Sequence, residues 1–253
     1  MTEKKSYYEW CKESDIISTL KPLLTNGGYF LREIDGKLDA EKRLSWNTPW
    51  HHVKHHPDLD CNFWHKILFD MVSMKLPEKD RFVPSECQKC YKVVVKPKTV
   101  KQLFVLVELE KALGLPSKAG IEIRQTVPRL YGGYFYNIGL DQGKECYKTV
   151  RETVDAFPGL GPDVDVILKR ACTEYEHELG PSDKWEITQQ QIVIEKFINR
   201  YFGRDDHHRI QPDHAITYVH RTWIEWAYQN GDDTYLEFTN GKPLYEPYVT
   251  YHN

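Results

Sequence analysis

Between Tyr91 and Arg170 the chain alternates two kinds of hydrophobic pattern. Tyr91 to Lys96 (YKVVVK) is a β-branched run stopped by Pro97, which reads as a strand. From Thr99 to Gly114 the apolar positions Leu103, Leu106, Val107 and Leu113 fall near one helical face. Thr99 and Gln102 have capping-box spacing, and Gly114 suits the position just past the last turn, where a left-handed backbone closes a helix. After LPSKAG, Ile121 to Val127 alternates as a strand and Arg129 to Tyr136 reads as a Gly- and Tyr-rich loop. Asp141 to Phe157 is helical in composition, and Val164 to Lys169 reads as a strand behind the turn PGLGPD. The order is β-α-β-α-β. The expected fold is therefore α/β, with a mostly parallel sheet joined by right-handed crossovers.

The flanks add helices to that core. Asn62 to Met74 is amphipathic, Thr188 to Phe202 and Asp213 to Gln229 read as helices, and Thr234 to Phe238 with Tyr248 to Tyr251 suggests a closing hairpin. The first sixty residues mix short helical stretches with turns. No repeat or linker interrupts the chain, so a single α/β domain over 1–253 is expected. Its core is 91–170, with a metal-binding extension at 1–90 and a helical one at 171–253.

Composition excludes several classes. Hydrophobic residues are 40% and charged residues 28%, the balance of a packed globule and not of a disordered chain. With 34 basic against 37 acidic residues there is no global field for nucleic acid or an anionic membrane. The opening MTEKKSYYEWCKESD is charged and lacks the apolar run of a signal peptide, and no later stretch reaches membrane-spanning length. The expected compartment is cytoplasmic, with no membrane partner. Six cysteines, at 11, 61, 87, 90, 146 and 172, are then reduced thiols or metal ligands, not a disulfide framework.

The sharpest chemical signal is Cys87-Gln-Lys-Cys90, whose two-residue gap lets both thiolates turn toward one metal. Cys61 and His65 stand one helical turn apart and complete a Cys-His-Cys-Cys set, suited to zinc. An iron–sulfur cluster calls for another cysteine in place of the histidine, and Cys172 or Cys146 could supply it. Parallel strands put Cys90 and Cys172 at opposite sheet ends, about 20 Å apart at 3.3 Å per residue, which argues against Cys172 as a ligand. The run His51, His52, His55, His56 offers pairs one helical turn apart, although a cluster without thiol or acid partners more often forms a solvated face.

A second site is expected at the C-terminal edge of the parallel sheet, where α/β folds collect ligands. Lys98, Arg124 and Arg170 supply cations, Tyr134 an aromatic face, Cys172 a nucleophile and Glu174 a proton-handling group. Those residues suit an anionic small molecule or nucleotide. Solvated salt bridges around a buried, inert Cys172 account for the same residues without any chemistry. Two functions compete: an enzyme carrying zinc or an iron–sulfur cluster, and a zinc-stabilised module that binds nucleic acid or protein through the local basic run Lys89 to Lys101.

Overall fold

The computed structural model describes residues 29–34, 37–42, 49–59, 63–124, 127–201, 210–244, 249 and 251. Seven strands are present among them: β1 Tyr29–Ile34, β2 Lys37–Lys42, β3 Trp50–Lys54, β4 Cys90–Lys96, β5 Ser117–Ile121, β6 Tyr131–Ile138 and β7 Asp165–Arg170. The helices are α1 Phe63–Val72, wound in the wide π form, α2 Ser85–Lys89, α3 Val100–Leu113, α4 Leu140–Ala156, α5 Thr173–Leu179, α6 Gln189–Tyr201 and α7 Asp213–Gln229. The chain divides into two compact units. The described residues of unit one fall within Met1–Ser45, Pro57–Cys90 and Arg170–Arg209, and those of unit two within Trp46–His56, Tyr91–Lys169 and Ile210–Asn253.

Unit two is built on a five-stranded sheet in the order β3-β5-β6-β4-β7. Every neighbouring pair is antiparallel, which overturns the expected mostly parallel sheet while keeping the α/β class. Two sequence expectations fail here: the strand expected at Ile121 to Val127 is instead β5, Ser117–Ile121, and one further strand was missed. Arg129 to Tyr136, read as a loop, supplies β6, which inserts between β4 and β5. The run β4-α3-β5-β6-α4-β7 is then a β-α-β-β-α-β unit in which each helical crossover spans one intervening strand. Strands β4 and β5 do run the same way, but they are not neighbours.

Glycine made β6 look like a loop, yet it is what lets β6 pack. A Cβ at Gly133 would collide with Leu106 Cδ2 and stand 3.0 Å from Glu110 Oε1, so the absent side chain admits α3 close against the strand. Helix α3 begins as its sequence predicts: the Thr99 side chain accepts from Gln102 N at 3.2 Å, and Gly114 closes it in the left-handed region at φ 61°. One sheet face supplies Val93, Val95, Ala119, Ile121, Phe135 and Val166 to a core shared with α3, α4 and α7. Burying each of these larger apolar side chains contributes about 1.5–3 kcal/mol.

Unit one holds the β1–β2 antiparallel hairpin, registered from Tyr29 opposite Lys42 to Ile34 opposite Lys37, and a helical core. In that core α1 buries Trp64, Ile67, Leu68, Phe69 and Val72 against Val83, Tyr175, Ile194 and Ile198. Two further expectations fail. The 51–56 histidines lie on or just past a strand, so the helical pairs 51/55 and 52/56 do not form. Thr234 to Phe238 is part of a tight helical turn, Asp233–Phe238, and not of a hairpin strand. Residues 245–248 and 250, which carry most of the partner strand expected there, lie outside the described residues.

Candidate thiol–imidazole site

The antiparallel pairing changes which cysteines share a sheet edge. Ala171 N donates to Cys90 O at 2.8 Å, so the segment leaving β7 lies beside the segment entering β4. The separation expected between Cys90 and Cys172 is removed. Cys172 follows Ala171, a buried residue held in the left-handed region at φ 50°. That conformation costs a non-glycine residue roughly 1–2 kcal/mol, and here it turns the chain from strand into α5 with Cys172 at the bend.

His65 comes to this bend from α1. Its imidazole makes a side-chain hydrogen bond with Cys172. Nδ1 lies 3.1 Å from Tyr175 Oη, and Nε2 lies 3.7 Å from Asp70 Oδ1. Burial works against a charged ring, but the hydrogen bond and charge of Cys172, with Asp70 and Glu174 beyond it, outweigh burial and raise the His65 pKa above the ordinary histidine value. Tyr175, fully buried one turn after Cys172, also reaches Cys87 Sγ at 3.2 Å. Its backbone N donates to Cys172 O at 3.2 Å, which ties the phenol to the cysteine through one helical turn.

The surrounding frame is polar and closed. Arg170 Nε donates to Gln88 O at 2.6 Å and Nη1 to Ser182 O at 2.7 Å, with the guanidinium 5.6 Å from the Trp185 ring centroid. Helix α2, which carries Cys87, is fastened to α6 where Ser85 N donates to Glu195 Oε1 at 2.8 Å. Gln191 Nε2 also donates to Glu195 Oε1 at 2.8 Å. Cys87, Cys90, Cys146 and Cys172 form no disulfide among the described residues. Among the described residues, no group of three or more His, Cys, Asp and Glu is placed to hold a metal ion. Cys61, the remaining expected ligand, lies outside the described residues.

Of the residues expected in an anion pocket, Arg124 follows β5 and Arg170 ends β7. Arg124 forms an ion pair with Glu122, its Nε donating to Oε1 at 2.6 Å, and Tyr134 Oη donates to Oε2 of the same carboxylate at 3.1 Å. Burial opposes the charge on Glu122, but Arg124 prevails and lowers its pKa. Lys98 is exposed beyond β4, where its backbone N donates to Gln102 Oε1 at 2.8 Å. Glu174 lies near His65 as its electrostatic partner. Sequence reasoning named both His65 and Cys172 but assigned them to different sites. Their pairing comes from α1 packing against α5 in the core of unit one, which spacing along the chain does not show.

Among the described residues no helix is long and apolar enough to cross a membrane. The chain matches no protein-family model, no curated protein and no solved structure.

Proposed function

We propose that unit one carries a thiol-dependent active site, with Cys172 as nucleophile and His65 as its proton partner. The observation that carries this reading is the convergence of His65, Tyr175 and Cys172 at a bent strand-to-helix turn, where the cysteine acts on the titration of the imidazole. A histidine that stays charged beside a cysteine favours the thiolate, the form that attacks carbon or sulfur. Cys172 would add to an electrophilic substrate such as an activated carbonyl or a disulfide, and His65 would return a proton to the group that leaves. Glu174 and Asp70 would hold the imidazolium charge; Glu174 handles no proton itself in this scheme. Cys172 is half-buried while Cys87 and Cys90 are buried, which supports Cys172 as the thiol that meets substrate.

The test is chemical labelling. In wild-type protein treated with iodoacetamide at pH 7, peptide mass spectrometry should find Cys172 modified well ahead of Cys87, Cys90 and Cys146. His65→Gln should slow Cys172 by about tenfold or more, the change in thiolate fraction when a cysteine returns from a paired to an ordinary pKa. Metal and sulfide are measured on the same anaerobically purified sample. Stoichiometric metal with an unreactive Cys172 would sink the thiol reading in favour of zinc or an iron–sulfur cluster.

A further inference from the structure

We infer that Tyr175 is the positioning residue of the Cys172–His65 pair, fixing the imidazole through Nδ1 and joining Cys87 to the same hydrogen-bond network. The inference rests on the thiol reading above and extends it to residues that reading does not use. Tyr175 stands at hydrogen-bond distance from both a histidine nitrogen and a thiol, 3.1 Å to His65 Nδ1 and 3.2 Å to Cys87 Sγ. Its ring is clamped edge-on by Phe69 at 4.5 Å and by Trp185 at 6.2 Å, and it is fully buried, so the hydroxyl has little freedom to point elsewhere.

The direction of the chain follows from proton inventory. A phenol has one proton to give and can accept another bond. When His65 is charged, both ring nitrogens carry hydrogen, so Nδ1 must donate to Tyr175 Oη, and the phenol proton then points to Cys87 Sγ. The second ring nitrogen lies 3.7 Å from Asp70 Oδ1, beyond hydrogen-bond distance, which leaves its N–H for Cys172, with Asp70 and Glu174 supplying nearby charge. Removing the phenol oxygen would strand a buried N–H of a charged ring, a situation that costs more than the loss of an ordinary hydrogen bond. His65 would turn or lose its proton, and Cys172 would lose its partner. Cys87 in this arrangement is an acceptor at the end of the network and stays a thiol.

Tyr175→Phe keeps the ring that Phe69 and Trp185 clamp, so the folded state should persist with a thermal midpoint within a few degrees of wild type, while iodoacetamide labelling of Cys172 at pH 7 falls about fivefold or more. ¹⁵N-histidine NMR of the wild-type chain gives a second readout that needs no variant. A His65 Nδ1 proton protected from solvent exchange is expected, and a bare Nδ1 would overturn the inference even if Tyr175→Phe failed to fold. The two ideas separate cleanly. If Cys172 is unreactive in wild type, the thiol reading fails; if it is reactive and Tyr175→Phe labels as fast, only the role of Tyr175 fails.

Discussion

Histidines in the two units are pushed in opposite directions. In unit one, His65 is half-buried yet held above the ordinary histidine pKa, because Cys172, Asp70 and Glu174 outweigh the burial. In unit two, His51 on β3 and His220 on α7 meet Nδ1 to Nε2 at 3.0 Å, and both are lowered to about 4. Burial among Trp223 and Phe104 is the first cause there, with the second imidazole and Lys111 adding to it for His51, and Lys111 for His220. Burial alone lowers the pKa of a histidine, whereas neighbouring anions can outweigh burial and raise it. The same contrast separates Glu122, whose carboxylate is kept by Arg124, from Glu110, which burial pushes well above the usual carboxylate range. Unit two lowers the pKa of the two histidines it packs together, and unit one raises that of a histidine beside a thiol.

The strongest way to break the unit-two side is Trp223→Ala. Trp223 is fully buried, donates from Nε1 to Pro49 O at 2.8 Å and packs edge-on against Phe104 at 5.3 Å. Loss of so large a side chain should cost about 3–5 kcal/mol in urea denaturation, enough to remove much of a typical domain's stability. A loss under 1 kcal/mol would mean that the α7–β3 contact is not part of the core.

Glu110→Leu should act in the other direction. Neither carboxylate oxygen of Glu110 meets a hydrogen-bond partner, and Ser117 Oγ beside it has none either, although the two are close enough for Ser117 to moderate the acid's titration. A carboxyl whose folded pKa is raised supports the fold fully only below its unfolded pKa, and that support is lost as pH rises toward the folded value. At pH 8, therefore, the leucine variant should be about 1–3 kcal/mol more stable than wild type, and its stability should change less between pH 5 and pH 8. Equal midpoints at both pH values would show that Glu110 is already satisfied.

How far the sequence carried these conclusions depended on the element. Helix α3 was legible to the residue because Thr99 and Gly114 carry their own geometry, and α7 was legible because its apolar positions repeat without interruption. Strand β6 was not, since Gly132 and Gly133 have turn propensity and the use of Gly133 as space for α3 is visible only from the far side of the contact. That omission converted antiparallel neighbours into parallel ones and moved Cys172 away from Cys90. The residue types at the site were legible; their pairing was not, because Cys172 and His65 are joined by topology and not by spacing.

The smallest effect tests the histidine contrast directly. His51 and His220 have folded values near 4 against an unfolded value of about 6.5, so the unfolded chain takes up protons first as pH falls. Their contribution is complete above the unfolded pKa and drains away between 6.5 and 4. His65 has the opposite sign: with its folded value raised, its contribution is complete below 6.5 and is lost as pH rises through the folded value. Other groups facing the unit-two pair are Glu108 and Lys111 on α3, and Glu108 offsets part of the shift in both rings. Between pH 7 and pH 5.5 wild type should lose on the order of 1 kcal/mol through the His51–His220 pair, after allowance for solvent at the partly exposed ring. His220→Gln should flatten that segment of the urea-midpoint curve, whereas His65→Gln should make the same segment steeper by removing the compensating gain. If both variants shift the curve the same way, the two environments are alike and the distinction between a neutral packing pair and a charged thiol partner does not hold.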